Sequence, residues 1–413
     1  MKLTPQLIDW IATHSHDDTA RLRLRHAGDP DMAHAIMQIE CRRKTARKLH
    51  ETLQNREFVF PTALSAEQCT SDDIACYHAS LTSPDETVLD MTAGLGIDAF
   101  HIARRATSVT AIDMDRNVAE ALQINAEVLG LKNLDAVWAD STQWLSQCSR
   151  RFDTIFIDPA RRGERGQRLY SLSECQPDVT ALLTDIRQHC RRLIVKASPM
   201  LDITRLAADL PGVSDIHVIG TRDECKELVA VVDTDAADCV AGHRIHAVTI
   251  TGNTTGNTLT FTRDEEQSAT AAYADPQPGY LLYEPWPAVM KSGAFRTISH
   301  RYNAALLHPN THLYISATEL PDFPGTPYRI TEIHPFRSSA IKALTRRRIS
   351  ASVSARNFDM TADALRSRLR CSESATTRLI GTTTVSGRIM IIASAIPAAA
   401  SPHNNTISIQ QQN

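Results

Sequence analysis

The stretch Thr87-Val-Leu-Asp-Met-Thr-Ala-Gly-Leu-Gly-Ile-Asp98 constrains this 413-residue chain more than any other. Two apolar residues, Val88 and Leu89, lead into Asp90. The small residues Ala93-Gly94-Leu95-Gly96 then make a turn, and Ile97, Phe100 and Ala103, with Ile102 beside them, recur at helical intervals. A strand that enters a glycine turn and leaves it as a helix brings backbone N–H groups and a helix N-terminus close to a ligand.

From Thr87 onward, short apolar runs alternate with helical patterns, which predicts an α/β fold with a parallel, doubly wound sheet. Seven strands are expected, at Thr87–Asp90, Ser108–Asp113, Asp135–Ala139, Thr154–Ile157, Arg192–Lys196, Asp215–Ile219 and Leu228–Val232, with a helix over Arg116–Leu129. Ahead of them, Leu7, Ile8, Trp10 and Ile11 mark one amphipathic helix and Met32–Leu53 a second, until Phe58-Val-Phe-Pro61 breaks the pattern. Thr70 or Ser71 is placed to cap a helix whose first turn holds Asp72 and Asp73. Past Ala241, a hairpin is expected from His243–Ile250 and Thr258–Thr262, short strands and one helix over Gly279–Leu320, and late strands at Thr377–Thr384 and Arg388–Ala393. The chain thus divides into an N-terminal helical region (1–77), an α/β domain (78–240), a hairpin with a small domain (241–325), a basic module (326–396) and an Ala-, Ser-, Asn- and Gln-rich tail (397–413) expected to be disordered.

Composition bears on partners. The net charge of −3 does not mark a nucleic-acid binder, but between Arg329 and Arg370 ten basic residues face three acidic ones, a local +7. A basic module on an acidic body is the pattern of an RNA-binding attachment, and also of a solvated basic face. No run of about 20 apolar residues exists, so no membrane span is expected. Met1-Lys2-Leu3-Thr4-Pro5 lacks the apolar core of a signal peptide. Nine cysteines, none in Cys-x-x-Cys, argue against a disulfide framework or zinc site and for a reducing cytoplasm. The 16 histidines form no His-x-x-x-His pair on a clear helix, and no metal is assigned.

Asp90, Asp113, Asp140 and Asp158 stand at the carboxyl ends of successive strands, the edge where open α/β sheets bind ligands. Asp113 follows Asp90 by 23 residues, the place of a ribose-binding carboxylate, which can accept two hydrogen bonds from vicinal hydroxyls. A dinucleotide would require Gly-x-Gly-x-x-Gly to admit its pyrophosphate. This turn has no third glycine, and Asp98 is expected to repel phosphate. S-adenosylmethionine carries no phosphate but a sulfonium and an ammonium, which carboxylates favour.

Asp90-Met-Thr-Ala-Gly-Leu-Gly-Ile-Asp-Ala-Phe100 resembles motif I of class I S-adenosylmethionine-dependent methyltransferases, especially the version in a small-subunit ribosomal RNA guanine-N2 methyltransferase family. Nearly the whole chain resembles the bacterial class I methyltransferases with a THUMP-like C-terminal domain. The resemblance runs through Glu67-Gln-Cys-Thr-Ser71, Asp158-Pro-Ala-Arg-Arg162, Lys196-Ala-Ser-Pro-Met-Leu-Asp202, Glu224-Cys-Lys-Glu-Leu228, Tyr283-Glu-Pro285, Met290-Lys-Ser-Gly-Ala-Phe295 and Arg356-Asn-Phe358. It departs at Ala93, where the family often has Gly, and at Ser292, where it often has Ala; both substitutes are small. The resemblance implies a Rossmann-like seven-stranded sheet, a ferredoxin-like piece near Gly279–Leu320 and a THUMP-like domain after it, associated with RNA binding.

By the same resemblance, Asp113 binds the ribose hydroxyls, Asp140 sits by the adenine amine, and Gly94 and Gly96, with Thr92 and Ala93 in the same turn, line the methionine moiety. Asp90 lies near its ammonium, and Asp158-Pro159 occupy motif IV beside the methyl group. Asp158 can orient an exocyclic amine by accepting its hydrogen bond. Where amino-methyltransferases follow with Pro-Pro-aromatic, this chain has Ala160-Arg161-Arg162. Either arginine can stack on a base or hold a phosphate, or form an internal ion pair. The Asp-Pro-x-Arg-x-Gly pattern also resembles uracil-C5 RNA methyltransferases, but Ala197 stands where those have a nucleophilic cysteine. Lys196 contacts substrate or pairs with Asp158 or Glu227. The reading is an S-adenosylmethionine-dependent methyltransferase acting on a base nitrogen in ribosomal or transfer RNA. The alternatives are a protein or small-molecule methyltransferase and an inactive RNA-binding relative.

Overall fold

Val88 and Leu89 are fully buried in β1 (Thr87–Asp90), an interior strand of a nine-stranded sheet. The structure, a computed structural model, describes residues 2–161, 171–235, 242–252 and 254–396. The tail 397–413 and Arg162 lie outside them. The chain forms two units, Met1–Asp264 with Pro287–Gly293, and Glu265–Trp286 with the chain from Ala294 on. Among the described residues no helix is long and apolar enough to cross a membrane.

After β1 come β2 (Ser108–Asp113), β3 (Leu134–Trp138), β4 (Phe152–Ile157), β5 (Cys190–Ala197), β6 (Val213–Gly220) and β7 (Cys225–Asp233). These are the seven expected strands. The sheet then continues through β8 (Arg244–Thr251) and β9 (Thr254–Thr262), in the order β9-β8-β6-β7-β5-β4-β1-β2-β3. The late hairpin therefore belongs to this sheet. β8 runs parallel to β6 with Ile245 opposite Ile216, and buries Ile245, Ala247, Val248 and Ile250. β7 is antiparallel to its neighbours β5 and β6, and β9 to β8. β1, β2, β3 and β4 thus present their carboxyl ends along one edge.

The N-terminal region holds α1 (Pro5–Thr13), α2 (Thr19–Arg25), α3 (Pro30–Thr45), α4 (Ala63–Gln68) and α5 (Asp72–Ser80). The helix expected over Met32–Leu53 stops at Thr45, although Leu49 stays fully buried. Asp72 explains the stop. Its buried Oδ2 accepts the N–H groups of Glu51 (2.8 Å) and Thr52 (3.0 Å), and Oδ1 accepts the Thr52 hydroxyl (2.5 Å). A carboxylate that captures these donors holds the chain in a turn instead. Ser71, of the two candidates, caps α5.

Two buried amides hold the extended segment Phe58–Phe60. Gln38 on α3 accepts from Phe60 N–H (2.9 Å) and donates to its carbonyl (2.8 Å). Asn125, on α7 (Arg116–Val128; α6 is Ile97–Ala103), does the same for Val59 at 2.8 and 2.9 Å. The N-terminal region and the sheet's helices thereby share one core, with Phe58 and Phe60 packed beside Phe100.

The second unit has a seven-stranded sheet in which β10 (Leu281–Pro285), β11 (Ala305–Leu306), β12 (Tyr314–Ser316), β13 (Gly325–Pro335), β14 (Ser352–Arg356), β15 (Thr377–Thr384) and β16 (Gly387–Ala395) take the order β11-β12-β10-β13-β16-β15-β14. Helices Ser338–Arg347 and Ala362–Leu369 pack Ile341, Leu344, Leu365 and Leu369 against Leu379 and Met390. Two helices, Pro287–Ser292 and Phe295–Tyr302, occupy the stretch where one was expected; the first packs on β6 and β8 of the other unit's sheet, with which it is grouped.

Replacing Asn125 by Leu removes both partners of the buried Val59 amide while keeping side-chain size. Each stranded group costs about 1–3 kcal/mol. Asn125→Leu should lower unfolding free energy by about 2–6 kcal/mol in urea titration; an unchanged midpoint would show that Asn125 does not hold the segment.

Candidate active site

The glycine turn is stitched to the strand ends by its own backbone. Met91 N–H donates to the Phe156 carbonyl (3.0 Å) and Ala93 N–H to that of Ile112 (2.9 Å), so the turn bridges β4 and β2. Gly94 (φ +55°) and Gly96 (φ +92°) lie in the left-handed region. A Cβ at Gly96 would stand 2.4 Å from Leu122 Cδ2 and 2.6 Å from Phe100 Cζ, so glycine is required there.

The four strand-end acids line one cleft of about 1250 Å³ with Thr92, Ala93, Gly94, Gly96 and Pro159. Each acid has a different setting. Asp90 ends β1 fully enclosed, with Oδ1 accepting Thr92 N–H (3.0 Å), and burial pushes its carboxyl up to about 8. Asp113 ends β2, accepts from Gly94 N–H (3.1 Å) and Asp115 N–H (2.8 Å), and is raised by burial. Asp140 caps the helix Ser141–Gln147; the Thr142 hydroxyl (2.6 Å) and the N–H groups of Thr142 and Gln143 converge on Oδ1 and lower its pKa. Asp158 follows β4, about half exposed, its N–H held by Thr92 Oγ1 at 2.7 Å. Apolar wall comes from Leu95, Met114, Val118 and Phe156.

Under the cleft lies a buried charged cluster. Lys196 on β5 places Nζ 2.7 Å from Asp158, 3.3 Å from Asp98 and 3.8 Å from Glu227, and donates to Thr70 Oγ1 (2.9 Å). His78 on α5 lies 2.7 Å from Asp98 and 2.5 Å from Glu227. Burial disfavours both cations, yet the surrounding carboxylates hold Lys196 well above its usual value and push His78 up to about 9. Asp98 is lowered against its own burial by Lys196 and His78. The charge of Asp98 is therefore matched inside the protein. Lys196 makes the internal pairs with Asp158 and Glu227. Arg161 lies in a two-residue ladder with Cys175.

Comparison with known proteins gives three family matches along the chain. The family described as conserved hypothetical protein 95 matches residues 74–172, a ferredoxin-like domain matches 281–324, and a THUMP domain-like family matches 325–395. A crystal structure of a candidate methyltransferase from Porphyromonas gingivalis W83 is 29% identical, covers 96% of this chain and 100% of that one, and has a TM-score of 0.84. Over nearly its whole length the chain is thus similar to a methyltransferase, and its C-terminal residues 325–395 are similar to a THUMP-like domain. Among curated relatives, an uncharacterized RNA methyltransferase of Mycoplasma mobile is 37% identical over 79 residues, 19% of this chain and 22% of that protein. A 23S rRNA (uracil(1939)-C(5))-methyltransferase of Marinomonas posidonica is 36% identical over 81 residues, 19% of this chain and 18% of that protein. The chain thus spans about a fifth of the length of these relatives.

In the THUMP-like domain, part of the basic stretch is neutralised locally. Arg347 is bidentate on Glu332 (2.6 and 2.7 Å), Arg356 meets Glu284 (2.8 Å) and Arg366 meets Glu373 (2.6 Å). Arg337, Lys342, Arg346, Arg348, Arg368 and Arg370 remain exposed. Arg348 and Arg370 are left-handed C-caps of their helices, where cations also favour the helix dipole.

His78 carried no signal in the sequence. Its spacing with Ile74, Ala75 and Ala79 reads as the apolar face of α5. Thr70 and Glu227 lie in the family-like stretches Glu67–Ser71 and Glu224–Leu228, which hint at a role without naming it.

The cluster makes stability depend on pH. His78 titrates near 6.5 when unfolded and about 9 when folded, so its contribution is full below pH 6.5 and is lost as pH rises through 9. The shift corresponds to about 3 kcal/mol. The urea midpoint should fall between pH 6.5 and 9.5, and His78→Gln should flatten that fall. A wild-type midpoint that rises over this window contradicts the ion pairing.

Proposed function

We propose that the chain is a cytoplasmic S-adenosylmethionine-dependent methyltransferase acting on a base nitrogen of ribosomal or transfer RNA. The observation that carries this reading is Asp158, which ends β4 at the lip of the four-acid cleft with Lys196 fixing one of its oxygens. The donor set fits the cofactor. Asp113, oriented by two backbone N–H groups, is set to take the ribose diol; Asp140 sits on the adenine side; Asp90, with the Thr92–Gly96 backbone, faces the amino-acid end. When bound, S-adenosylmethionine supplies an electrophilic methyl carbon on a sulfonium.

The chain's own part is positioning. Holding the nucleophile in line accounts for roughly 7–11 kcal/mol of such barriers. Asp158 accepts a hydrogen bond from the acceptor amine, turns its lone pair toward the methyl carbon, and takes up the proton the amine sheds, with Pro159 beside the base. Arg161 and Arg162 are the proposed contacts to the rest of the nucleotide. Covalent attack at a uracil carbon needs a thiolate nucleophile. Here β5 ends in Lys196-Ala197, and burial raises the Cys69 thiol at the cleft wall. The exposed arginines of the THUMP-like domain favour RNA over a small-molecule acceptor.

Asp113→Ala should weaken S-adenosylmethionine binding at least tenfold by calorimetry. Asp158→Ala should bind it within about threefold of wild type and lose transfer. Nucleoside mass spectrometry on RNA from a deletion strain and its parent should show one lost N-methylated nucleoside. Undiminished turnover in Asp158→Ala, or a lost C5-methyluridine, would sink the amine assignment.

Asp90 supplies a second readout. At about pH 7 its carboxyl is largely protonated in the free protein, since burial places it at about 8. An ammonium bound beside it favours the carboxylate, so binding should release a proton. Calorimetric enthalpies in phosphate and in Tris should differ accordingly, and Asp90→Asn should abolish the difference. Equal enthalpies in both buffers would remove Asp90 from the ammonium site.

A further inference from the structure

Next to the cofactor cleft lies a second pocket of about 550 Å³, and Thr70, Asp158 and Pro159 line both. Its size falls within the roughly 300–1,000 Å³ of small-ligand sites. Its walls come from distant parts of the chain. Arg47, Lys48 and residues 68–71 belong to the N-terminal helical region, Ala197–Pro199 follow β5, and Thr221, Lys226 and Glu227 surround the β6–β7 turn.

The pocket is polarised. Its floor holds Asp158, Glu227 and the buried Lys196 that joins them. Other lining positions carry exposed cations. Arg47 has no carboxylate partner among the described residues, and Lys226 pairs only with the exposed Glu224. Lys48 donates to the Glu67 carbonyl (3.0 Å), and its own carbonyl accepts Asp72 N–H (2.9 Å). With Leu49 fully buried beyond it, the backbone around Arg47 is held in place. Acid acceptors at the floor and exposed cations on the wall match a nucleotide that enters base first. A base stacked in a helix cannot reach such a floor, so the acceptor must be extruded or single-stranded.

We propose that this pocket is the acceptor site of the methyltransferase and takes one extruded nucleotide of an RNA strand, its base at Asp158 and its phosphate on Arg47 and Lys226. The proposal rests on the methyl-transfer reading and gives the N-terminal helical region a direct part in substrate binding. Each phosphate contact on a single strand contributes about 0.7 to the slope of log affinity against log salt.

The test uses the full chain and its Arg47→Glu, Lys226→Glu and double variants. Three quantities are measured: sinefungin binding by calorimetry, KM for radiolabelled methyl transfer to RNA from the deletion strain, and the salt dependence of that KM. Sinefungin affinity should stay within twofold of wild type. KM should rise at least tenfold in the double variant, and the salt slope should fall by about 0.7 per lost contact. Unchanged KM and slope in a double variant that still binds sinefungin overturns the pocket assignment alone. Wild-type protein that binds no sinefungin overturns the methyltransferase reading instead. Methylation of free nucleoside monophosphates as fast as of RNA would also overturn the proposal. If the charge reversals abolish sinefungin binding through misfolding, Arg47→Gln with Lys226→Gln should still raise KM at least threefold; no rise there counts against the pocket.

Discussion

One ammonium group, Lys196 Nζ, sits among the carboxylates of Asp158, Asp98 and Glu227, and the rest of the site depends on it. Removing such a charge from water is costly, and only close opposite charges with additional hydrogen bonds offset the loss. Those partners come from four places: the end of β4, the first turn of α6, β7, and Thr70 in the loop before α5. Lys196 therefore couples the glycine turn's helix to the motif that ends in Asp158. Asp98 and Glu227 each pair with both Lys196 and His78, so either carboxylate ties α5 to β5.

The same principle separates two aspartates eight residues apart. Asp90 and Asp98 are both buried, yet burial raises the first to about 8 while Lys196 and His78 hold the second low. Environments that push like groups apart assign them different tasks. Asp98 is committed to an internal pair and is structural. Asp90 accepts the Thr92 N–H on Oδ1, and its carboxyl, raised by burial, lines the cofactor cleft.

The strands and the strand-end acids were legible because their signals are local. A run of apolar residues, a turn of small ones and an acid at the end lie within about a dozen positions of one another. The charged cluster was illegible for the opposite reason. Lys196 meets Asp98 and Thr70 across 98 and 126 positions of sequence, and His78 looks like one more residue of an apolar helix face. Asp98 was legible as an acid but not as a paired one. The stop after Thr45 failed to register likewise, since the carboxylate that captures Glu51 and Thr52 is 20 residues away. The hairpin of β8 and β9 was recognised as strands, but its attachment to β6 is a register of apolar faces that period alone does not reveal.

Charge illustrates how the fold redistributes what composition only counts. The +7 of Arg329–Arg370 suggests a uniformly basic module, but Glu332, Glu284 and Glu373 each take one of its arginines, and two of the remainder cap helices. The first unit, by contrast, comes from the acidic part of the chain yet exposes Arg47, with no carboxylate partner among the described residues, beside a pocket that shares Asp158 with the cofactor cleft. A polyanion's affinity is set by cations free to exchange their counterions, not by the total. One unpaired cation on a rigid wall can then matter as much as several paired ones. Gln38 and Asn125 make that wall rigid: by satisfying both sides of Val59 and Phe60, they pack the N-terminal helices into the same core as the glycine turn.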